Sequence, residues 1–330
     1  MNEFFRSIAS LFVAFFTLCG FISSPYDKPA DNTGGGDPFI TEDKNGCYYT
    51  YTTGSGITIK KIKAFDDTTV TDEKTVYSVG NDGIVSSIWA PEIHKIDDRW
   101  YIVACAVFDK NTVPKGTMPL AKEYTEHSDY YRYGFVLESD TDDIFGSYSF
   151  KGFLSPDGMN NIDGTYLKKD GKLYYVCSAY LDIAHQCISI TEMENPYTLK
   201  GESVILSKPE YYWETKGWKV NEGPAVLYNN DDIYIVYSAS GYSSGYYSLG
   251  MLTLKGDNVL SSKDWHKSPV RVHYHRPSKD IYNAGHCSFL YRDDGTYMVY
   301  HATADKDYSK TPRLTYIRKV EFIFNHPFFG

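Results

Sequence analysis

Five ionisable residues stand out because each lies a similar distance before a repeated, Tyr-led strand motif. Asp37 stands eleven positions before Tyr48, Glu92 nine before Tyr101, Asp163 eleven before Tyr174, Glu222 twelve before Tyr234, and His286 eleven before Tyr297. If the motif marks the same strand in each repeat, these positions open the strand before it. Four carboxylates and one imidazole then gather in one place. Like charges crowded together raise one another's pKa and cost stability, so such a cluster calls for a purpose. Their neighbours are apolar or small (Pro38–Phe39, Gly164–Thr165, Gly223–Pro224), unlike the alternating charges of a solvated face. No CxxC pair with zinc spacing is present. Converging carboxylates of this kind suit glycoside hydrolysis. One acid, its pKa raised, protonates the leaving oxygen; another stays ionised and activates water; a third charge tunes the first.

The elements that must position these residues are the repeats themselves. The motif occurs as Tyr48–Thr53, Tyr101–Ala106, Tyr174–Ala179, Tyr234–Ala239 and Tyr297–Ala302. These runs of β-branched and aromatic residues have the composition of buried strands. Asn45–Gly46, Asp97–Asp98, Asp170–Gly171, Asn229 to Asp232 and Asp293–Gly295 precede the anchor tyrosines and mark tight turns. An all-β repeat with this spacing predicts propeller blades with long loops: a five-bladed β-propeller over residues 33–330. Its innermost strands would bring the five ionisable positions around one mouth of the central channel.

Composition narrows the function classes. The 330 residues carry a formal net charge of −9, which argues against nucleic acid as a partner, since its phosphates demand Lys/Arg clusters. Tyrosine occurs 31 times, a residue suited both to half-exposed strands and to sugar-stacking faces. Residues 1–24 read as a secretory signal peptide, with Arg6, the apolar run Ile8–Phe16 and small residues between Gly20 and Ser24. A secreted protein without membrane attachment after cleavage is expected. Five cysteines follow the leader, so at least one thiol is free; the sequence leaves open whether Cys177 and Cys187 face each other across a hairpin.

At the candidate residues the chain resembles glycoside hydrolase family 43. The resemblance is carried by Asp37–Pro38–Phe39, Trp89–Ala90–Pro91–Glu92, Ile162–Asp163–Gly164–Thr165, Val220–Asn221–Glu222–Gly223–Pro224, Gly285–His286–Cys287–Ser288–Phe289 and Val299–Tyr300–His301–Ala302. It implies a five-bladed propeller and an inverting mechanism. Asp37 falls at the general base, Glu222 at the general acid, and Asp163 at the residue that tunes and orients the acid. His286 falls at an axial histidine that holds a calcium or sodium ion, directly or through water. Arg313 and Trp89 match substrate contacts, and Glu92 joins them as a pocket residue.

Tyr237–Ser240, Leu249–Thr253, Trp265 with Lys267–Pro269, and Trp213–Glu214 before the acid resemble the exo-acting α-L-arabinofuranosidases that trim 1,5-linked arabinan. Two features depart from the pattern: Cys287 stands where many relatives have Asn, and Lys110 to Tyr133 has no counterpart and is expected as a loop near the pocket mouth. The expected substrate is a plant cell-wall polysaccharide or oligosaccharide, handled by a monomer. A β-xylosidase or an endo-arabinanase uses the same catalytic set, and a glycan-binding propeller would tolerate the loss of a carboxylate. The sucrose and fructan enzymes are set aside, since their Asn-Asp-Pro-Asn, Arg-Asp-Pro and Glu-Cys segments are missing.

Overall fold

The computed structural model describes residues 35–52, 54–79, 87–109, 130–182 and 185–329. Five antiparallel meanders follow one another along the chain. The first holds β1 (Phe39–Asp43), β2 (Gly46–Thr52), β3 (Gly56–Ala64) and β4 (Asp67–Ser78). The second holds β5 (Ser87–Ile96), β6 (Arg99–Asp109), β7 (Tyr130–Ser139) and β8 (Tyr148–Leu154). The third holds β9 (Asn161–Lys169), β10 (Lys172–Asp182), β11 (His185–Asn195) and β12 (Thr198–Ser207). The fourth holds β13 (Lys219–Asn229), β14 (Asp232–Ala239), β15 (Ser248–Leu254) and β16 (Trp265–Lys267). The fifth holds β17 (Tyr282–Arg292), β18 (Gly295–Thr303) and β19 (Leu314–Lys319), followed by a hairpin of β20 (Glu321–Ile323) and β21 (His326–Phe328).

The repeated motif is the second strand of every sheet, and the tight turn falls where the Asn, Asp and Gly residues predict it. The apolar runs are continuous because both faces of these strands are buried, so successive side chains feed different cores. In β10, Tyr174 and Val176 pack toward the fourth sheet, while Tyr175, Cys177 and Ala179 pack toward the second. In β18, Met298, Tyr300 and Ala302 pack toward the fourth sheet, while Tyr297 and Val299 pack against Ile40, Tyr49 and Ile62 of the first. The last sheet is thereby packed on the first. The opening strands keep the same order, with β1 against β5, β5 against β9, β9 against β13, β13 against β17, and β17 against β1.

Three details add to or correct the sequence reading. The third and fourth sheets are linked by a short parallel pairing, His185↔Lys219 and Gln186↔Val220. Tyr130 to Tyr133 are the start of strand β7, not loop; residues 110–129 and the leader at 1–24 lie outside the described residues. Cys177 and Cys187 do not pair: the register sets Cys177 opposite Ser189 and Cys187 opposite Ala179, and both thiols are free.

Candidate active site

Backbone conformation sets the site before any side-chain chemistry acts. Asp37 (φ 61°), Ala90 (44°), Asp163 (55°), Gly223 (52°) and His286 (44°) all lie in the left-handed region. Each stands at the eleventh position before its anchor tyrosine. In four of the sheets the register with the second strand slips at this point: between Trp89 and Glu92, Ile162 and Thr165, Glu222 and Ala225, and Gly285 and Ser288. Such a bulge bends the strand and re-aims its side chains. A non-glycine residue held there costs about 1–3 kcal/mol, a strain that concentrates at functional sites. Two of the sequence positions are therefore out of register. The equivalent of Asp37 in the second sheet is Ala90, with Glu92 two residues on; in the fourth it is Gly223, with Glu222 one residue before.

Three basic side chains surround Asp37. Its Oδ1 lies 3.1 Å from His286 Nδ1 and 3.2 Å from Arg313 Nη1. His301 Nδ1 is 3.5 Å from the same oxygen, yet it accepts the Asp37 backbone N–H at 3.1 Å and so carries no proton there. Burial, reinforced by Arg313, holds His301 well below the usual histidine pKa. Burial alone would raise Asp37, but His286 and Arg313 outweigh it and leave its carboxyl below the usual range. His286 is itself penalised by burial, but Asp37, Asp163 and Glu222 override that and raise its pKa. The His286 backbone N–H donates to Ser238 Oγ at 2.6 Å.

Asp163 and Glu222 go the other way. Asp163 Oδ2 accepts the Gly223 N–H at 3.0 Å and lies 3.9 Å from His286 Nδ1. Burial, against the pull of His286 and with Asp37 adding, pushes Asp163 up to about 6. Glu222 is partly accessible, and burial with the neighbouring Asp163 pushes it up to about 7. Tyr247 donates its hydroxyl to Glu222 Oε1 at 2.8 Å, and Gln186 donates to Oε2 at 3.2 Å. Gly285 makes room for Tyr247, because a Cβ there would stand 2.1 Å from its ring. Gly223 does the same for His286, whose Nδ1 would lie 3.0 Å from a Cβ at that left-handed position.

Asp37, Asp163, Glu222, His286 and Arg313 thus share one site. Glu92 adds its charge to Asp163 and His286 from further away, while its own carboxylate is 2.8 Å from His94 Nε2. Trp89 is 38% exposed, with the Arg132 guanidinium 5.5 Å from its ring centre. Sequence spacing missed Tyr247 and Gln186, which arrive from outside the motif. It also missed His301, although the Tyr300–His301–Ala302 step of the motif carries it.

Behind Glu222 lies a second polar centre. Glu214, 0% exposed, accepts from Asn221 Nδ2 (3.0 Å) and the Tyr237 hydroxyl (2.9 Å) on Oε1. Its Oε2 accepts from the backbone N–H groups of Glu210 and Tyr211 and from Lys267 Nζ, each at 2.8 Å. Ser178 Oγ donates to the Asn221 carbonyl at 3.0 Å, so the residue before Glu222 is fixed from two sides.

A metal has little protein to bind here. Among the described residues no three His, Cys, Asp or Glu side chains converge as a ligand set. His286 Nδ1 is engaged with Asp37, so an ion beside this residue would rest on one imidazole and solvent.

Residues 26–326 match the family described as glycosyl hydrolases family 43. An extracellular exo-alpha-(1->5)-L-arabinofuranosidase of Streptomyces chartreusis is 30% identical over 296 residues, covering 86% of this chain and 84% of that relative. A protein of the same description from Streptomyces avermitilis is 30% identical over 86% of this chain, which spans 59% of that relative's length. The crystal structure of an alpha-L-arabinofuranosidase from Lactobacillus brevis superposes with a TM-score of 0.77 at 29% identity, covering 92% of this chain and 98% of that one.

Proposed function

We propose, from the premise that this chain belongs to glycosyl hydrolases family 43, that it is an inverting exo-α-L-arabinofuranosidase acting on 1,5-linked arabinan or its oligosaccharides. The observation that carries this is the opposite setting of two carboxyl groups in one site. His286 and Arg313 hold the Asp37 pKa below the usual carboxylate range, and burial beside Asp163 raises that of Glu222 to about 7, so Glu222 holds its proton at pH values where Asp37 has lost its own. Asp37 takes a proton from a water molecule, whose oxygen attacks the anomeric carbon. The bond to the leaving oxygen breaks as Glu222 delivers its proton there. Asp163 acts through Glu222, holding the acid's proton by its negative charge, and through Gly223, whose N–H it grips. No step runs through an ion at His286.

The names of the two Streptomyces relatives and of the Lactobacillus brevis structure support arabinofuranose as the sugar. The same Streptomyces relatives are described as extracellular, which together with the leader-like segment 1–24 supports secretion. The closed five-bladed propeller is supported by the cyclic packing of five sheets, with β17 against β1. The test is a panel of nitrophenyl glycosides followed by proton NMR of the first product. Faster cleavage of the α-L-arabinofuranoside than of the β-xyloside, with the β anomer released first, is expected. Initial release of the α anomer would make Asp37 a nucleophile and overturn the mechanism.

A further inference from the structure

Three exposed aromatic rings from three loops form a wall that starts at the arginine of the active site. Arg313, bound to Asp37, places its guanidinium 5.9 Å from the ring centre of Tyr242, just after β14. Tyr242 lies 5.8 Å from Trp218, just before β13, at 59°, and 5.6 Å from Tyr308, after β18, at 81°. Trp218 is 55% exposed, and Tyr242 and Tyr308 are exposed as well. The Trp218 and Tyr242 loops are tied together without a ligand: Gly241 N–H donates to the Lys216 carbonyl and Lys216 N–H to Ser240 Oγ, both at 3.0 Å.

We propose that Trp218, Tyr242 and Tyr308 bind the sugar units on the leaving side of the bond being cut, and so set the preference for chain over single glycoside. This rests on the arabinofuranosidase reading and extends it. Aromatic faces pack against the C–H faces of sugars while their polar edges stay hydrated. Loops already ordered lose little freedom on binding. The rings are tilted rather than coplanar. A 1,5-linked furanoside chain suits such a stepped wall, because each linkage passes through an exocyclic CH₂ and successive rings do not share a plane. The wall also shares the β14–β15 connection with Tyr247, whose hydroxyl donates to Glu222.

The test compares arabinotriose with methyl α-L-arabinofuranoside, whose leaving group ends at one carbon. Trp218→Ala and Tyr308→Ala should each lower kcat/KM on arabinotriose by about tenfold. On the methyl glycoside they should match the unsubstituted protein, with an unchanged melting temperature. Titration of Asp37→Asn protein with arabinotriose gives a second readout, and adding Trp218→Ala should weaken binding by a similar factor. Equal losses on both substrates, or none on either, would overturn the wall as a chain-binding surface. Unsubstituted protein that ignores both arabinosides but cleaves xylobiose would refute the arabinose reading, a different result, and the wall would fall with it.

Discussion

Replacing Glu214 by Gln puts the second polar centre to the test. The change keeps the side chain's shape and removes its charge. Five donors converge on the native carboxylate, and Asn221 cannot turn its amide to help, because its Oδ1 already accepts from Ser207 at 2.7 Å. The Gln oxygen would stay with the two backbone N–H groups and Lys267. Its NH₂ would then face the Asn221 NH₂, leaving one buried donor unpaired at a cost of about 1–3 kcal/mol. Lys267, whose side chain is only 13% exposed, also loses its counter-ion, and breaking a buried pair costs about 3–5 kcal/mol. The two penalties overlap, so a loss of about 3–5 kcal/mol is expected. At about 2–4 °C per kcal/mol for a domain of this size, the melting temperature should fall by roughly 6–20 °C. Adding Lys267→Met removes the stranded cation and should restore more than half of the loss, which a double-mutant cycle by calorimetry measures. Because Asn221 precedes the acid, the single variant should also lose more kcat on arabinotriose than on nitrophenyl arabinofuranoside. A melting temperature within about 2 °C of the unsubstituted protein, or a double variant as unstable as the sum of its parts, would refute the account of this centre.

The remaining expectations concern the acid and the base. Glu222→Ala should lose most activity on arabino-oligosaccharides but keep more on a nitrophenyl arabinofuranoside, whose phenolate leaves without a proton; Asp37→Ala should fail on both, as steady-state rates on the two substrates will tell. The pH dependence has a definite sign. With the Glu222 pKa raised to about 7, the acid-competent form is lost as pH rises through that value, so kcat/KM should fall there on the alkaline side. The same raised pKa stabilises the fold below the ordinary Glu value of about 4.3 and ceases to do so as pH rises through about 7. Melting temperature should therefore decline across that window, and Glu222→Gln should flatten the decline.

The strands were legible in the sequence because their burial on both faces leaves an unbroken apolar run after each turn, as in Tyr174–Ala179. The site was legible less evenly. Asp37, Asp163 and His286 keep one constant interval to their anchor tyrosines because a fixed backbone feature places them. Glu92 and Glu222 carry their charge two positions late and one position early, and Ala90 and Gly223 hold the equivalent places. Glu222 works from beside its bulge, and Glu92 turns to His94 instead. Tyr247, Gln186 and Lys267 had no such interval. Gln186 lies on β11, Lys267 on β16 and Tyr247 just before β15; tertiary packing brings them in, and no local spacing encodes how those segments approach.

The recurring left-handed residue gives the molecule five seats addressed by backbone rather than by side chain. What each seat holds is then limited by conformation: Asp, Asn, His or Gly can occupy it, and Val, Ile or Thr cannot without heavy strain. Three seats hold ionisable side chains, one holds the glycine next to Glu222, and one holds only the methyl of Ala90. Chemistry can change from seat to seat while the sheets, whose cores lie in the strands beyond, keep their packing. The seat at Ala90 is the one that a single exchange to Asp or Asn would furnish with a new polar group.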